Sequence, residues 1–390
     1  MGFLELTGAT SGRSSTHPIR RSRTLSATAV GGLALALASL GAGHASAAPP
    51  RPTDLRCVDG CAGRQTAAVS STIRITGTGL DRVVEVGFRG RSRWVSAKPV
   101  VAGRHRLAVR VPQHARSGRP RVVDRQGRAA RVRKLLRVVG SGRLPDRGSF
   151  DLAGSTVRPH ETFVDSGRAI RLRYRFRAFG PTKVTLKLLH RGLVLRRWSH
   201  AAELPYTAHR LQWRGALGDH RVAPPGRYRF KVKAPGRRPE LTPRFRLFSG
   251  KFPVRGPHGY GGPVQRFGAP RSGGRVHQGQ DVFSPCGTRV VAARGGRVQS
   301  RGSDPVLYGN WIVIDARGTR TDYRYAHFLH PASVHEGERV RTGEVVGRIG
   351  RTGNARSVGC MLHLEVWPHG WNQGGPVDPL PILKRWDGWS

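Results

Sequence analysis

Leu172-Arg173-Tyr174-Arg175-Phe176 alternates apolar and basic side chains without a break. Successive side chains of a strand point to opposite faces, so a period of two demands an extended segment with one buried face and one wet face. The same period recurs in Thr72-Ile73-Arg74-Ile75-Thr76, Val84-Glu85-Val86, Leu107-Ala108-Val109-Arg110-Val111 and Val184-Thr185-Leu186-Lys187-Leu188. Turn signals at Ser117-Gly118 and Gln126-Gly127 separate such runs at short intervals. Short alternating strands between Gly-rich turns predict an all-β chain built from small sandwiches.

Ahead of these strands, residues 1–47 carry the features of an export signal. Arg20-Arg21-Ser22-Arg23 supplies a basic start, Leu25 to Ala42 an Ala/Leu/Gly-rich apolar core, and Ala45-Ser46-Ala47 a small-x-small cleavage site. General secretion fits better than a twin-arginine route, and an uncleaved anchor is disfavoured because the apolar run is short for a spanning helix. The mature chain is expected to be secreted and wall-associated, with no stable membrane insertion. Residues 48–71 read as a linker with a Pro-rich start, in which Cys57 and Cys61 are spaced to close a small disulfide loop.

Charge matters for partners. The chain has 68 Lys and Arg against 23 Asp and Glu, a formal net charge of +45. Sixty of these cations are arginines, a skew that genomic base composition produces as readily as selection for a partner does. A cytosolic chain of this charge would suggest nucleic acid. For an exported one the polyanions at hand are those of the envelope, so peptidoglycan and anionic wall polymers are the expected partners, not nucleic acid. The basic residues are spread along the chain, so no single patch stands out. Oligomeric state is not legible, and no P-loop, cofactor fingerprint or serine-nucleophile motif occurs.

Chemistry concentrates near the C-terminal end. His277-Gln278-Gly279-Gln280-Asp281 places a histidine and a carboxylate four apart, and His363 follows some eighty residues later. Two imidazoles and a carboxylate suit Zn²⁺ and leave a fourth position open, as at a catalytic metal. The spacing by itself better describes a surface loop. Around it lie Gly287-Thr288, Gly295-Gly296-Arg297-Val298, Gly309-Asn310-Trp311-Ile312-Val313-Ile314, Tyr325-Ala326-His327, Val345-Val346-Gly347 and Leu362-His363-Leu364-Glu365-Val366. In this order the blocks resemble the lysostaphin/LytM-type zinc metallopeptidases, which cut peptide cross-links of bacterial cell walls. The resemblance covers about a third of the chain, from Phe252 to about Pro379, and implies a peptidase domain over 252–380 with a tail at 381–390.

The resemblance makes His277, Asp281 and His363 the zinc ligands and His327 the catalytic histidine. At one position the chain departs from the family. Where the family has the first histidine of His-x-His, this chain has Met361, which shares a strand face with His363. A thioether is a weak acceptor and no donor, and it is a soft ligand ill suited to replace imidazole on zinc. Convergence of the ligand segments on one ion would also bring Cys286 and Cys360 together, so those two are expected to form a disulfide. His330, His335 and His369 are expected to be solvated, His258 to be a candidate for the groove, and Glu365 to be within reach of an imidazole.

Weaker resemblances lie upstream. Gly77-Thr78-Gly79-Leu80 with the later Val111-Pro112 is similar to IPT/TIG-type immunoglobulin-like domains, over 72–140. Trp213, Gly215 and Pro225-Gly226-Arg227-Tyr228-Arg229-Phe230 are similar to the immunoglobulin-like domain of flagellar hook-capping proteins, over 145–250. Two functions follow as expectations: a secreted zinc peptidase of peptidoglycan, or a degenerate, non-catalytic domain that binds wall or regulates another hydrolase. Met361 favours the second and the retained ligand set the first.

Overall fold

Period-two patterning becomes strand in the computed structural model, which describes residues 48–217 and 221–390. The expected export signal at 1–47 lies outside the described residues. No described helix is long and apolar enough to cross a membrane. Strand Ile170–Arg177 shows the pattern at its cleanest: Ile170, Leu172, Tyr174 and Phe176 are buried, and the four arginines between and after them are exposed.

The buried side chains form three separate cores. One draws on Leu55 to Leu136, a second on Val157 to Leu247, and a third on Phe252 to Trp386. The first corrects the expectation that residues 48–71 are a linker. Arg51–Gly63 and Thr66–Thr78 pair as an antiparallel hairpin, and Leu55, Cys57, Ala67 and Ile73 enter the core. Charged Asp54, Arg56 and Asp59 mask the apolar positions in the sequence, and the Cys57–Cys61 disulfide is buried within the hairpin.

The third core underlies a seven-stranded sheet made of β1 (Gly259–Tyr260), β2 (Gln280–Phe283), β3 (Gly296–Asp304), β4 (Gly309–Ala316), β5 (Asp322–Phe328), β6 (Arg339–Val340) and β7 (Met361–Trp367). Its order is β1-β2-β7-β5-β4-β3-β6, antiparallel throughout. Leu362, Leu364 and Val366 of β7 join Tyr323, Tyr325, Ile312 and Ile314 in the core. The alternate residues Met361, His363 and Glu365 therefore occupy the opposite face. A one-residue slip of β7 would move both leucines out and His363 in, losing on the order of 2 kcal/mol per leucine. Core packing thus sets the face on which the polar row stands.

The expected tail at 381–390 is also corrected. Helix α1 (Leu380–Asp387) inserts Leu383 and Trp386 into the third core, both fully buried, and the Trp386 indole donates to Ser249 Oγ at 3.2 Å. Gly250 lies flat against that indole, where any Cβ would come within 2.6 Å of it. Two apolar anchors in eight residues are too few for a helical period to show in sequence.

Candidate metal centre

His277 sits in the loop before β2. Its backbone N–H donates to Ala269 O and its Nδ1–H to Arg266 O at 2.9 Å, which leaves the Nε2 lone pair facing the sheet. Asp281 on β2 and His363 on β7 are directly opposed cross-strand partners, so their side chains share a face. His363 Nε2–H donates to Glu365 Oε1 at 3.1 Å, which leaves Nδ1 as the free atom.

These constraints make three donor atoms converge. His277 Nε2 and His363 Nδ1 are 2.9 Å apart, His363 Nδ1 and Asp281 Oδ1 are 2.9 Å apart, and His277 Nε2 and Asp281 Oδ1 are 3.3 Å apart. Ligands at zinc bond lengths of about 2.0–2.1 Å in a tetrahedron lie about 3.3 Å from one another, so the triangle is of the size such an ion requires. All three residues are buried, and two imidazoles with one carboxylate match the preferences of zinc. Among the described residues this is the one such group of three.

Electrostatics point the same way. When protons rather than a cation sit in the triangle, burial works against charge on Asp281, but hydrogen bonds from His277 and His363 outweigh it and hold the carboxyl well below its ordinary range. Burial likewise opposes charge on His363, yet Asp281 and Glu365 overcome it and raise the imidazole to about 9. The two buried carboxylates that hold this proton also favour a divalent cation, which must displace the proton from His363 to bind.

His327 reaches the site by a different route. Its neighbour Ala326 is the cross-strand partner of His363, so strict alternation would send residue 327 into the core beside Tyr323 and Tyr325. Instead its φ is 64°, a left-handed conformation unusual for a histidine, and the ring centre lies 5.8 Å from that of His363. The backbone is held there by His327 N–H donating to Tyr308 O at 2.9 Å. Nδ1–H donates to Thr352 O at 2.8 Å, leaving Nε2 as an acceptor. Burial and the charge on His363 lower the imidazole to about 4, so it is neutral near pH 7.

His277, Asp281, His327, His363 and Met361 all line one cleft of about 650 Å³. Met361 is buried on the same face as His363, two residues before it. Cys286 and Cys360 are disulfide-bonded with Cα atoms 5.3 Å apart, and Cys57 and Cys61 with Cα atoms 5.6 Å apart. His258 does not reach the cleft: it packs on Phe252 at 4.3 Å and meets Asp387 at 3.2 Å. His330, His335 and His369 do not line it either. Sequence reasoning missed Tyr308, a cleft wall whose hydroxyl donates to Gln278 Oε1 at 3.2 Å, and Arg324, packed on that tyrosine's ring. The one available signal for Arg324 was its place in β5, a strand next to that of Glu365.

Residues 275–379 match peptidase family M23. A lipoprotein NlpD/LppB homolog of Pseudomonas aeruginosa is 35% identical over 114 residues, 29% of this chain and 35% of that protein. Peptidoglycan DD-endopeptidase ShyC of Vibrio cholerae is 32% identical over 114 residues, 29% of this chain and 25% of that protein. The chain therefore spans only about a third or less of the length of these curated relatives. Among solved structures, the catalytic domain of lysostaphin from Staphylococcus simulans aligns with 28% identity over 33% of this chain and 92% of that one, with a TM-score of 0.28. The motif blocks, their order and the family match agree: the C-terminal region of this chain is a peptidase M23 domain.

Proposed function

We propose that this chain is an exported zinc endopeptidase that hydrolyses peptide bonds of bacterial peptidoglycan. The observation that carries the reading is the convergence of His277 Nε2, Asp281 Oδ1 and His363 Nδ1 in an open cleft within the M23 region. Relatives named as endopeptidases of peptidoglycan and of glycyl-glycine support it. When bound, zinc supplies the Lewis acidity that activates water and polarises a peptide carbonyl.

The chain's own residues do the rest. His277 and His363 present lone pairs in tautomers fixed by Arg266 and Glu365, and Asp281 supplies the anionic ligand. His327, neutral and with Nε2 unprotonated, accepts a proton from the attacking water and then, as imidazolium, donates toward the leaving amine. Residues 72–140 and 145–250, with the first module starting at the strand from Arg51, are immunoglobulin-like spacers or wall-binding modules; their separate cores support this division. Envelope polyanions hold the strongly basic chain at the wall.

Met361 favours a second reading, a degenerate domain that binds wall without cutting, because it puts a thioether in the cleft where a donor is wanted. Digestion of purified wall by the mature protein, with and without a chelator, decides between them. New amine termini that vanish on chelation are expected; stoichiometric zinc with no cleavage would establish the non-catalytic reading.

A further inference from the structure

Glu365 has no exposed surface, and each of its oxygens is engaged. Oε1 accepts from His363 Nε2 at 3.1 Å, Oε2 accepts from Trp367 Nε1 at 2.7 Å, and the Arg324 guanidinium stands 3.9 Å from Oε2. Arg324 and Glu365 are directly opposed on β5 and β7, so the contact is written into the register of the sheet.

Arg324 is itself unusual. It is 7% exposed, and its guanidinium carbon lies 3.3 Å from the ring centre of Tyr308, 4.7 Å from that of Trp311 and 5.6 Å from that of Trp371. Aromatic faces attract the charge but accept no conventional hydrogen bond, and Arg324 Nε is buried without a hydrogen-bond partner among the described residues. Burying a guanidinium this way is costly unless its charge is answered. Two carboxylates answer it, Glu365 across the strand pair and Asp304 more remotely, and of these Glu365 is the one that touches a candidate ligand.

We propose that Arg324 is a positioning residue for the metal, acting through Glu365. The aromatic cage holds the guanidinium in one place, and its charge holds the carboxylate with Oε1 turned toward His363. Glu365 then keeps the His363 ring in the orientation that offers Nδ1 to the ion. Without the guanidinium the carboxylate keeps only the Trp367 indole N–H to steady it against the imidazole, and the orientation of the ligand is held less firmly. This inference rests on the zinc reading above and concerns zinc affinity, so it is testable apart from turnover.

The experiment measures zinc affinity of the full chain by competition with a chelator of known affinity, alongside Tm of the metal-free forms. Loss of an outer partner of a ligand lowers metal affinity about 10- to 100-fold. Glu365→Gln is expected within that range and Arg324→Met near its lower end. Added to Glu365→Gln, Arg324→Met should cost less than about threefold more, because coupled residues are not additive. A merely structural arginine would lower Tm and leave affinity within about twofold, or cost the same factor in both backgrounds; either result overturns the proposal. Should Arg324→Met fail to fold, Arg324→Lys and Arg324→Gln keep a polar head in the cage. Higher affinity in the lysine variant supports the role of charge, and equal affinity in the two refutes it. A wild type that takes up no zinc would overturn the zinc reading and this inference together, whereas zinc uptake indifferent to Arg324 would sink only the latter.

Discussion

Asp281 and His363 face each other across neighbouring antiparallel strands with Oδ1 and Nδ1 2.9 Å apart, and His277 closes the triangle from a loop. With three donors on three separately anchored segments, one zinc per chain is expected. His363→Ala should lose most of it, since two remaining ligands make a poor site. Metal analysis of the purified variant checks this; full occupancy would exclude the assignment.

Gly279 sits between the first two candidate ligands and has no room for a side chain. A Cβ there would lie 2.4 Å from Leu364 O and 2.8 Å from Cε1 and Nε2 of His363. Gly279→Ala must therefore displace β7 backbone or the ligand imidazole. Overpacking of this kind costs about 1–3 kcal/mol. The expected outcome is a lower Tm with zinc affinity down at least about tenfold, as for other disturbances of ligand orientation. Normal affinity and Tm would show that the loop yields freely.

His327 should separate binding from turnover. Because its φ is 64°, glycine is the replacement that keeps the backbone unstrained. His327→Gly is expected to hold one zinc, with a Tm lowered by loss of the buried hydrogen bond to Thr352, while wall hydrolysis falls about 10²- to 10⁴-fold, the usual contribution of a general acid–base. Retained hydrolysis would remove His327 from the mechanism.

The Cys286–Cys360 disulfide ties the turn after β2 to the residue before Met361, closing a loop of 74 residues. In the chain-entropy account a loop of that size is worth about 4 kcal/mol. A Cys286→Ser/Cys360→Ser double variant should unfold at distinctly lower denaturant, with a larger m-value because the unfolded chain is no longer cross-linked. Non-reducing peptide mapping of the wild type should find the two cysteines in one linked pair.

Met361 offers the most direct test of the activity itself. Met361→His would place an imidazole beside His363 on the cleft face. One well-placed donor to a developing oxyanion is worth about 10²- to 10³-fold in rate, so a tenfold gain in amine release is a modest expectation. Zinc content must be followed, because a new histidine can fill the open coordination position. A folded variant with one zinc and no cleavage would favour the non-catalytic reading.

Much of this site was legible in the linear order of residues. Strand periodicity alone puts Met361, His363 and Glu365 on one face with leucines on the other, whereas it is the family resemblance of the surrounding blocks, not donor chemistry by itself, that singles out His277, Asp281 and His363. The short apolar and charged runs at 48–71 and 381–390 misled, because a bulged disulfide hairpin and a two-anchor helix carry weak periodic signals. His327 obeys no period: only a left-handed residue, held by Tyr308 and Thr352, turns it from the core into the cleft. The pairing of Arg324 with Glu365, and the rings that cage it, depend on strand register and on loops far apart in the chain. Local composition determines which atoms can ligate; only the packed sheet decides which of them meet, because its register is set by the apolar face that none of them occupies.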